Sequence, residues 1–267
     1  MDKIFAEMFS KEPKEIIEND FYYGTDSEGD QFDDADEDSW LKGRFKSNWE
    51  NAGITNVWRN DINNLYSEVT GKIADDGKPF MEIACGPGMG LAPAILKKNP
   101  KIPCLATDAC SRLIKAWRYY INRNLMEYNI SLASFSNLDI PIKDNSLYYV
   151  TSAIGIASTR GDSKQAINEI YRTLKPGGYL VAIENEWTDL SKIDEVFKLL
   201  GQYNYYGTEK RMSWHDQFTL AGFKVESEDK HYYRKLTKDD NDLGEAADRF
   251  NIEIGMKFTL YVLSKTI

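Results

Sequence analysis

Between residues 79 and 185 the chain alternates two hydrophobic rhythms. Short apolar runs interrupted only by single polar residues read as buried strands at 79–84, 102–107, 130–134, 147–152 and 178–184. Between them, apolar positions recurring every three or four residues predict helices at about 89–98, 111–127 and 162–174. Upstream, Val57, Trp58, Ile62, Leu65, Tyr66, Val69 and Ile73 share one stripe, which predicts an amphipathic helix over 55–73. Downstream, a helix Trp214–Leu220 ends at Ala221-Gly222-Phe223. A strand through Val225 and another at Phe258–Leu263 then suggest a terminal hairpin. Alternation of this kind requires a mostly parallel sheet covered on both faces. The expected fold class is therefore α/β: a doubly wound, Rossmann-like sheet of seven strands with a C-terminal antiparallel hairpin.

Residues 1–50 follow a different pattern. Ile4, Phe5, Met8, Phe9, Ile16 and Ile17 stand among charges at helix-like spacing broken by Pro13, predicting one or two short helices. From Gly24 to Asp38 the chain is polar and dense in Asp, as in a solvated loop. The aromatic group Phe21-Tyr22-Tyr23 with Trp40 reads equally as a lid over a ligand and as an anchor to the body. The domain expectation is an N-terminal arm with acidic loop over 1–50, then one domain over 51–267 with an insertion at 237–257.

Charge sharpens that division. Residues 1–40 hold 14 Asp and Glu against 3 Lys, a local charge of −11 that leaves +2 for residues 41–267 out of a net −9. A near-neutral body behind an acidic arm disfavours nucleic acid as partner. No stretch approaches the roughly 20 apolar residues that cross a bilayer, so no membrane partner is expected. Cys85, Cys104 and Cys110 lack metal-ligand spacing and read as small, reduced packing residues, in keeping with a cytoplasmic protein. The acidic run Asp30, Asp33, Asp34, Asp36 and Asp38 lacks the glycine and terminal glutamate of a calcium loop, and His215 and His231 stand alone. No metal site is expected.

The chemistry concentrates at two predicted strand ends. Phe80-Met81-Glu82-Ile83-Ala84-Cys85-Gly86-Pro87-Gly88-Met89-Gly90 runs from a buried strand into a glycine turn, with an acid four residues before Gly86. The next strand, Cys104-Leu105-Ala106-Thr107-Asp108, ends in a second acid at the distance where a βαβ unit offers a carboxylate to ribose hydroxyls. Two further segments punctuate the chain: Leu138-Asp139-Ile140-Pro141-Ile142-Lys143-Asp144-Asn145-Ser146, and Glu169-Ile170-Tyr171-Arg172-Thr173-Leu174-Lys175-Pro176-Gly177-Gly178, whose proline and glycines predict a tight reversal.

In this order the four segments resemble those of the class I S-adenosylmethionine-dependent methyltransferases, a likeness covering about residues 79–185. The resemblance implies a cofactor, S-adenosylmethionine, with S-adenosylhomocysteine as product. It implies that Ala84, Cys85, Gly86 and Gly88 pass under the methionyl part, and that Glu82 lies beneath the turn, holding its amides and the cofactor's ammonium. Asp108, with Ala109 beside it, would accept the ribose hydroxyls, Ser136 and the Asn137 backbone would face the adenine edge, and Ser152 and Ala153 would border the sulfonium. Three departures are visible. Ala84 replaces the first glycine of the usual turn, a small change in bulk. Ser136 and Tyr148 stand where relatives often carry aspartate, and Tyr148 is expected to pack on the sheet.

The function implied is methyl transfer to an acceptor, with a small molecule favoured and a protein acceptor left open. Candidates for guiding a nucleophile follow the fourth and fifth strands: Ser158, Arg160, Glu184, Asn185, Glu186 and Trp187. Of these Arg160, Glu184 and Glu186 are the catalytic candidates. Two bland alternatives accompany the set: Asp108 as an ordinary helix cap, and Trp117, Tyr119 and Tyr120 as packing residues. A nicotinamide enzyme would space its glycines G-x-G-x-x-G, which Gly86, Gly88 and Gly90 do not. A non-catalytic regulatory module on the same fold is the alternative from another class.

Overall fold

The computed structural model describes residues 1–24, 45–50, 63–159, 163–201, 212–229, 233–238 and 242–266. Residues 55–62 of the expected first helix, the acidic run Asp30 to Asp38, Trp40, Arg160 and His231 lie outside the described residues.

The alternation resolves into helices and strands close to their expected places. The parallel strands are β3 (Phe80–Ile83), β4 (Cys104–Asp108), β5 (Ile130–Ser134), β6 (Leu147–Ala153) and β7 (Leu174–Trp187). The helices α3 (Asn63–Asp76), α4 (Ala92–Lys98), α5 (Ser111–Asn124) and α6 (Ser163–Thr173) precede or link them. After β7 come α7 (Leu190–Leu200), α8 (Trp214–Leu220), β8 (Phe223–Asp229), β9 (Tyr233–Lys235), α9 (Asp242–Phe250) and β10 (Gly255–Lys265). With β1 (Glu15–Ile17) and β2 (Asp20–Tyr22) from the arm, the sheet order is β1-β2-β5-β4-β3-β6-β7-β10-β8, with β9 pairing β10. β10 runs antiparallel to β7, β8 and β9, which gives the expected C-terminal hairpin.

Alternate residues of each strand face opposite layers, as the pleat demands. Phe80, Cys104, Ala106, Tyr149, Val181 and Ile183 point to one core with Ile73, Ile95, Leu113 and Trp117 from α3, α4 and α5. Met81, Leu105, Val150, Leu180 and Ala182 point to the other with Ile167, Ile170 and Phe218 from α6 and α8. A third, smaller cluster joins Ile193, Val196 and Phe197 of α7 to Ala246 and Ala247 of α9 and to Ile254. The sheet is doubly wound because both faces of its central strands are apolar.

The sheet has ten strands among the described residues, three beyond the seven expected. Two come from the N-terminal arm, where the expected short helices are realised only as α1 (Lys3–Ala6). Residues 15–22 form a hairpin instead, β1 (Glu15–Ile17) and β2 (Asp20–Tyr22), and β2 adds in parallel to β5. Glu18 and Asn19 take φ of 49° and 69°, the mirror-image turn that matches strand twist. That turn residue pair is what the helical spacing concealed. Phe21, Tyr22 and Tyr23 are thereby built into the sheet edge: Phe9 stacks on Tyr23 at 5.5 Å and meets Phe21 edge-on at 5.0 Å. They pack the described part of the arm against the body.

Buried Asp20 accepts a bidentate pair from Arg118 of α5, 2.7 Å from Nε and 2.6 Å from Nη2, which bolts the hairpin to the body. Arg172 plays the same part for the 138–145 segment. Its guanidinium reaches Glu169, Asp144 and the carbonyls of Ile140 and Ile142 within 2.9 Å.

The tight turn expected at Lys175-Pro176-Gly177-Gly178 lies within β7: pairing with β6 passes from Leu147↔Leu174 to Tyr149↔Tyr179, and Gly177 is left-handed at φ 75° among the residues that this pairing skips. One further expectation is corrected. Tyr148 does not pack on the sheet. It is exposed at that shift, its ring flanked by the ammonium groups of Lys78 at 4.8 Å and Lys175 at 4.2 Å.

Removing the anion of the buried pair should loosen the arm. Asp20→Ala is expected to lower stability by about 3 kcal/mol, because it leaves a half-buried guanidinium without its carboxylate. Urea denaturation checks it; a change within experimental error would show that strand pairing with β5 and the aromatic contacts hold the hairpin without the ion pair.

Candidate functional site

The carboxyl ends of β3 and β4 meet as the sequence suggested. Ile83 leads into a turn whose backbone is left-handed at Ala84, Gly86, Met89 and Gly90, with φ between 44° and 52°. Gly86–Gly88 closes as one 3₁₀ turn before α4. Glycine is required at two of these places for different reasons. A Cβ on Gly90 would fall 1.7 Å from Glu82 Oε1, whereas a Cβ on Gly86 would meet nothing within 4 Å. Gly90 is thus reserved for the carboxylate beneath it and Gly86 for the space in front of the turn.

Glu82 is fully buried. Its Oε2 accepts the Leu91 amide at 3.1 Å, where α4 begins, and the Thr151 hydroxyl from β6 at 2.5 Å. Asp108, 6% exposed, accepts the Gly86 amide on Oδ2 at 3.0 Å and the Cys110 amide on Oδ1 at 2.9 Å. The carboxylate ending β4 therefore turns toward the bend that follows β3. Its bond to Cys110 N lies just ahead of α5, whose N-cap is Cys110 and not Asp108.

The outer side of the turn is not sealed: Ala84, Gly86, Pro87 and Gly88 remain partly exposed, as does Ala109. Cys85 is buried behind them, its amide on the Thr107 carbonyl at 2.8 Å. Burial first, then the charges of Asp108 and Glu82, push its thiol well above the usual range, so Cys85 is a neutral packing group. Ala84 is more than a loss of bulk. At φ 44° it holds a left-handed conformation that L-residues resist by about 1–2 kcal/mol.

Two residues fix the turn that sequence reasoning set aside. Trp117 Nε1 donates to the Gly86 carbonyl at 2.9 Å, and its ring stacks on Phe45 of α2 (Phe45–Glu50) at 3.9 Å. The indole is core packing and turn support together; its spacing from Asp108 carried no recognisable signal. Thr151 was hidden because a hydroxyl in a β-branched run reads as strand.

The turn after β6 is built against the first. Ile154 takes φ 63°, a strained conformation for a β-branched residue. Gly155 has no room for a side chain: a Cβ there would approach the Ala84 methyl and the Ile83 carbonyl, both at 2.9 Å. Ser152 Oγ accepts the Gly155 amide at 3.2 Å. Asn137, nearly buried, reaches across from the turn after β5 to Thr159 Oγ1 at 3.2 Å, and the Ser136 hydroxyl accepts the Leu138 amide at 3.1 Å. Ser136 thus first serves its own turn.

The catalytic candidates separate. Glu184, fully buried near the end of β7, accepts the amides of Ile156 at 3.2 Å and Ala157 at 3.0 Å, with the Ser152 hydroxyl at 3.4 Å. Burial drives its carboxyl up to about 8 against those bonds, which pull the other way. Glu186 accepts the Trp214 amide at 3.3 Å at the start of α8, and the Trp214 indole donates to the Asn185 carbonyl at 2.9 Å. Glu184 and Glu186 therefore both hold backbone, while Ser158 is exposed. Among the described residues no cluster of His, Cys, Asp and Glu is able to hold a metal ion, and Cys85, Cys104 and Cys110 are free.

The two glycines give opposite expectations. Gly86→Ala should cost about 1–2 kcal/mol of stability for the left-handed backbone and yet weaken S-adenosylhomocysteine binding at least about tenfold, roughly 1.4 kcal/mol. Gly90→Ala should cost about 3 kcal/mol or more, since strain and collision add. Denaturation curves and ligand titration of both variants check this; unchanged affinity in the Gly86 variant would remove the open side of the turn from the site.

The ubiE/COQ5 methyltransferase family matches residues 51–207. O-methyltransferase 3 of Dictyostelium discoideum is 27% identical over 188 residues, 64% of this chain and 41% of that protein. The demethylmenaquinone methyltransferase of Listeria welshimeri is 25% identical over 127 residues, 48% of this chain and 53% of that protein. The chain thus matches about half the length of these curated relatives. The crystal structure of MccD protein shares the fold with a TM-score of 0.58 at 16% identity, over 76% of this chain and 97% of that one. The chain belongs to the ubiE/COQ5 methyltransferase family and carries the class I fold of S-adenosylmethionine-dependent methyltransferases.

Proposed function

We propose that this protein binds S-adenosylmethionine at the carboxyl ends of β3 and β4 and transfers its methyl group to a small-molecule acceptor by in-line displacement. One observation carries the reading: the Asp108 carboxylate closes onto the Gly86 amide at 3.0 Å while the Gly86 side of the turn stays open. A ribose acid and a glycine bend that converge on one place, with space in front, are what a nucleoside ligand needs. When bound, the cofactor supplies a methyl group already activated on a cationic sulfur.

The chain's own task is then chiefly placement and exclusion of water. Gly86 and Gly88 let the backbone approach the ligand, Asp108 with Ala109 takes the ribose side, and Glu82 holds the turn from beneath and lends negative charge toward an ammonium. Asn137 and Ser136 lie on the side assigned to adenine, with Ser152 and Ala153 at the turn after β6. No acid or base is assigned to the acceptor: Glu184 and Glu186 are engaged with backbone amides.

A small-molecule acceptor is favoured by the names of the relatives, an O-methyltransferase and a demethylmenaquinone methyltransferase. The concentration of negative charge in the first 40 residues disfavours nucleic acid. A protein acceptor remains a second outcome of the assay. No described helix is long and apolar enough to cross a membrane, and the three free, buried thiols support a cytoplasmic setting.

Calorimetry with S-adenosylmethionine and S-adenosylhomocysteine, followed by transfer of labelled methyl to a panel of phenols, quinols and peptides, tests the reading. Both ligands should bind, and Asp108→Ala should weaken binding at least about tenfold, as the loss of a charge-assisted hydrogen-bond pair predicts. Failure of the wild type to bind either ligand would overturn it. Binding without transfer to any acceptor would favour the regulatory module.

A further inference from the structure

Glu184 is a fully buried acid that no Lys, Arg or His among the described residues neutralises. Its two oxygens are spent on consecutive amides, Ile156 on Oε1 and Ala157 on Oε2, and Ser152 Oγ lies at 3.4 Å from Oε1. Those amides belong to the turn that leaves β6 through strained Ile154 and presses Gly155 against Ala84 of the glycine bend. A left-handed isoleucine persists only where its surroundings over-determine it. Glu184, reaching from the neighbouring strand β7, supplies that determination, since it satisfies two donors that the tight turn leaves without backbone partners in regular structure.

We propose that Glu184 is a positioning residue: through the amides of Ile156 and Ala157 it holds the turn after β6 against Ala84, and this makes the shape of the methyl-donor cleft dependent on a proton. The inference rests on the cofactor reading above, and it concerns a residue whose type and place at a strand end had suggested acid or base chemistry.

The sign follows from burial. The carboxyl's pKa lies at about 8 with the turn closed and near the ordinary 4.5 once the turn opens and water reaches it. The closed turn therefore binds the proton more tightly, and its stability, complete below pH 4.5, is lost progressively as pH rises toward 8. Other groups face the same region. From β10, Tyr261 feels the charges of Glu228, Glu186 and Glu184, and burial keeps its phenol neutral throughout this range. From β6 the facing group is Ser152, and from the turn itself only amides.

The experiment is amide hydrogen exchange on the full chain from pH 5 to 8, corrected for intrinsic rates, with S-adenosylhomocysteine titration at the same pH values. In the wild type, protection of Ile156 and Ala157 should fall by up to about tenfold per pH unit. Glu184→Gln, which keeps one acceptor and cannot ionise, should start with weaker protection and show no such slope. Affinity for S-adenosylhomocysteine should weaken in the same direction in the wild type and be flat in the variant.

Protection that is independent of pH in the wild type overturns the proposal without any variant having to fold. A protection slope with pH-independent affinity overturns the link to the cleft while leaving the cofactor reading intact. Absence of S-adenosylhomocysteine binding at every pH overturns that reading and Glu184's role toward the donor together.

Discussion

Backbone amides at the carboxyl edge of a parallel sheet emerge into tight turns with no partner in the ladder, and in this protein buried carboxylates receive them. Asp108, ending β4, takes the amide of Gly86 in the turn after neighbouring β3. Glu184, near the end of β7, takes the amides of Ile156 and Ala157 in the turn after neighbouring β6. Glu82, on β3 itself, takes the Leu91 amide at the far end of its own turn. A carboxyl group suits this task because its two oxygens set several acceptor positions side by side, enough for adjacent amides. These four bonds shape the turns that border the cleft.

The arrangement also divides labour between the two faces. Glu82 and Asp108 stand on the face covered by α3, α4 and α5, and Glu184 on the face covered by α6 and α8, as strand alternation dictates. The two turns meet at Ala84 and Gly155, where a Cβ on Gly155 would fall 2.9 Å from the Ala84 methyl. Trp117 extends the first network outward, linking the Gly86 carbonyl to Phe45 of α2.

The N-terminal hairpin shows the same economy of parts. β2 extends the parallel order beyond β5, and buried Asp20 requires Arg118 on α5, so the edge of the sheet and the helix that carries Trp117 are tied together. Phe21 and Tyr22 of β2 pair with Ala133 and Ser134 of β5, and Phe9 packs on Phe21 and Tyr23.

Read alone, the sequence determined the strand and helix alternation, the doubly wound class, and the pairing of a glycine bend after one strand with an acid ending the next. Those features are local, since hydrophobic period and turn chemistry are written in neighbouring residues. It also named Glu82, Gly86 and Asp108 individually. Tertiary structure alone decided which amides those carboxylates hold, that Gly90 serves Glu82 while Gly86 faces open space, that Trp117 supports the turn, and that Glu184 and Glu186 bind backbone. It likewise decided that residues 15–22 form strands, because a hairpin of that length is stable only when β5 offers an edge to pair with. Contacts between residues far apart in the chain depend on where the chain returns, and no periodicity records that.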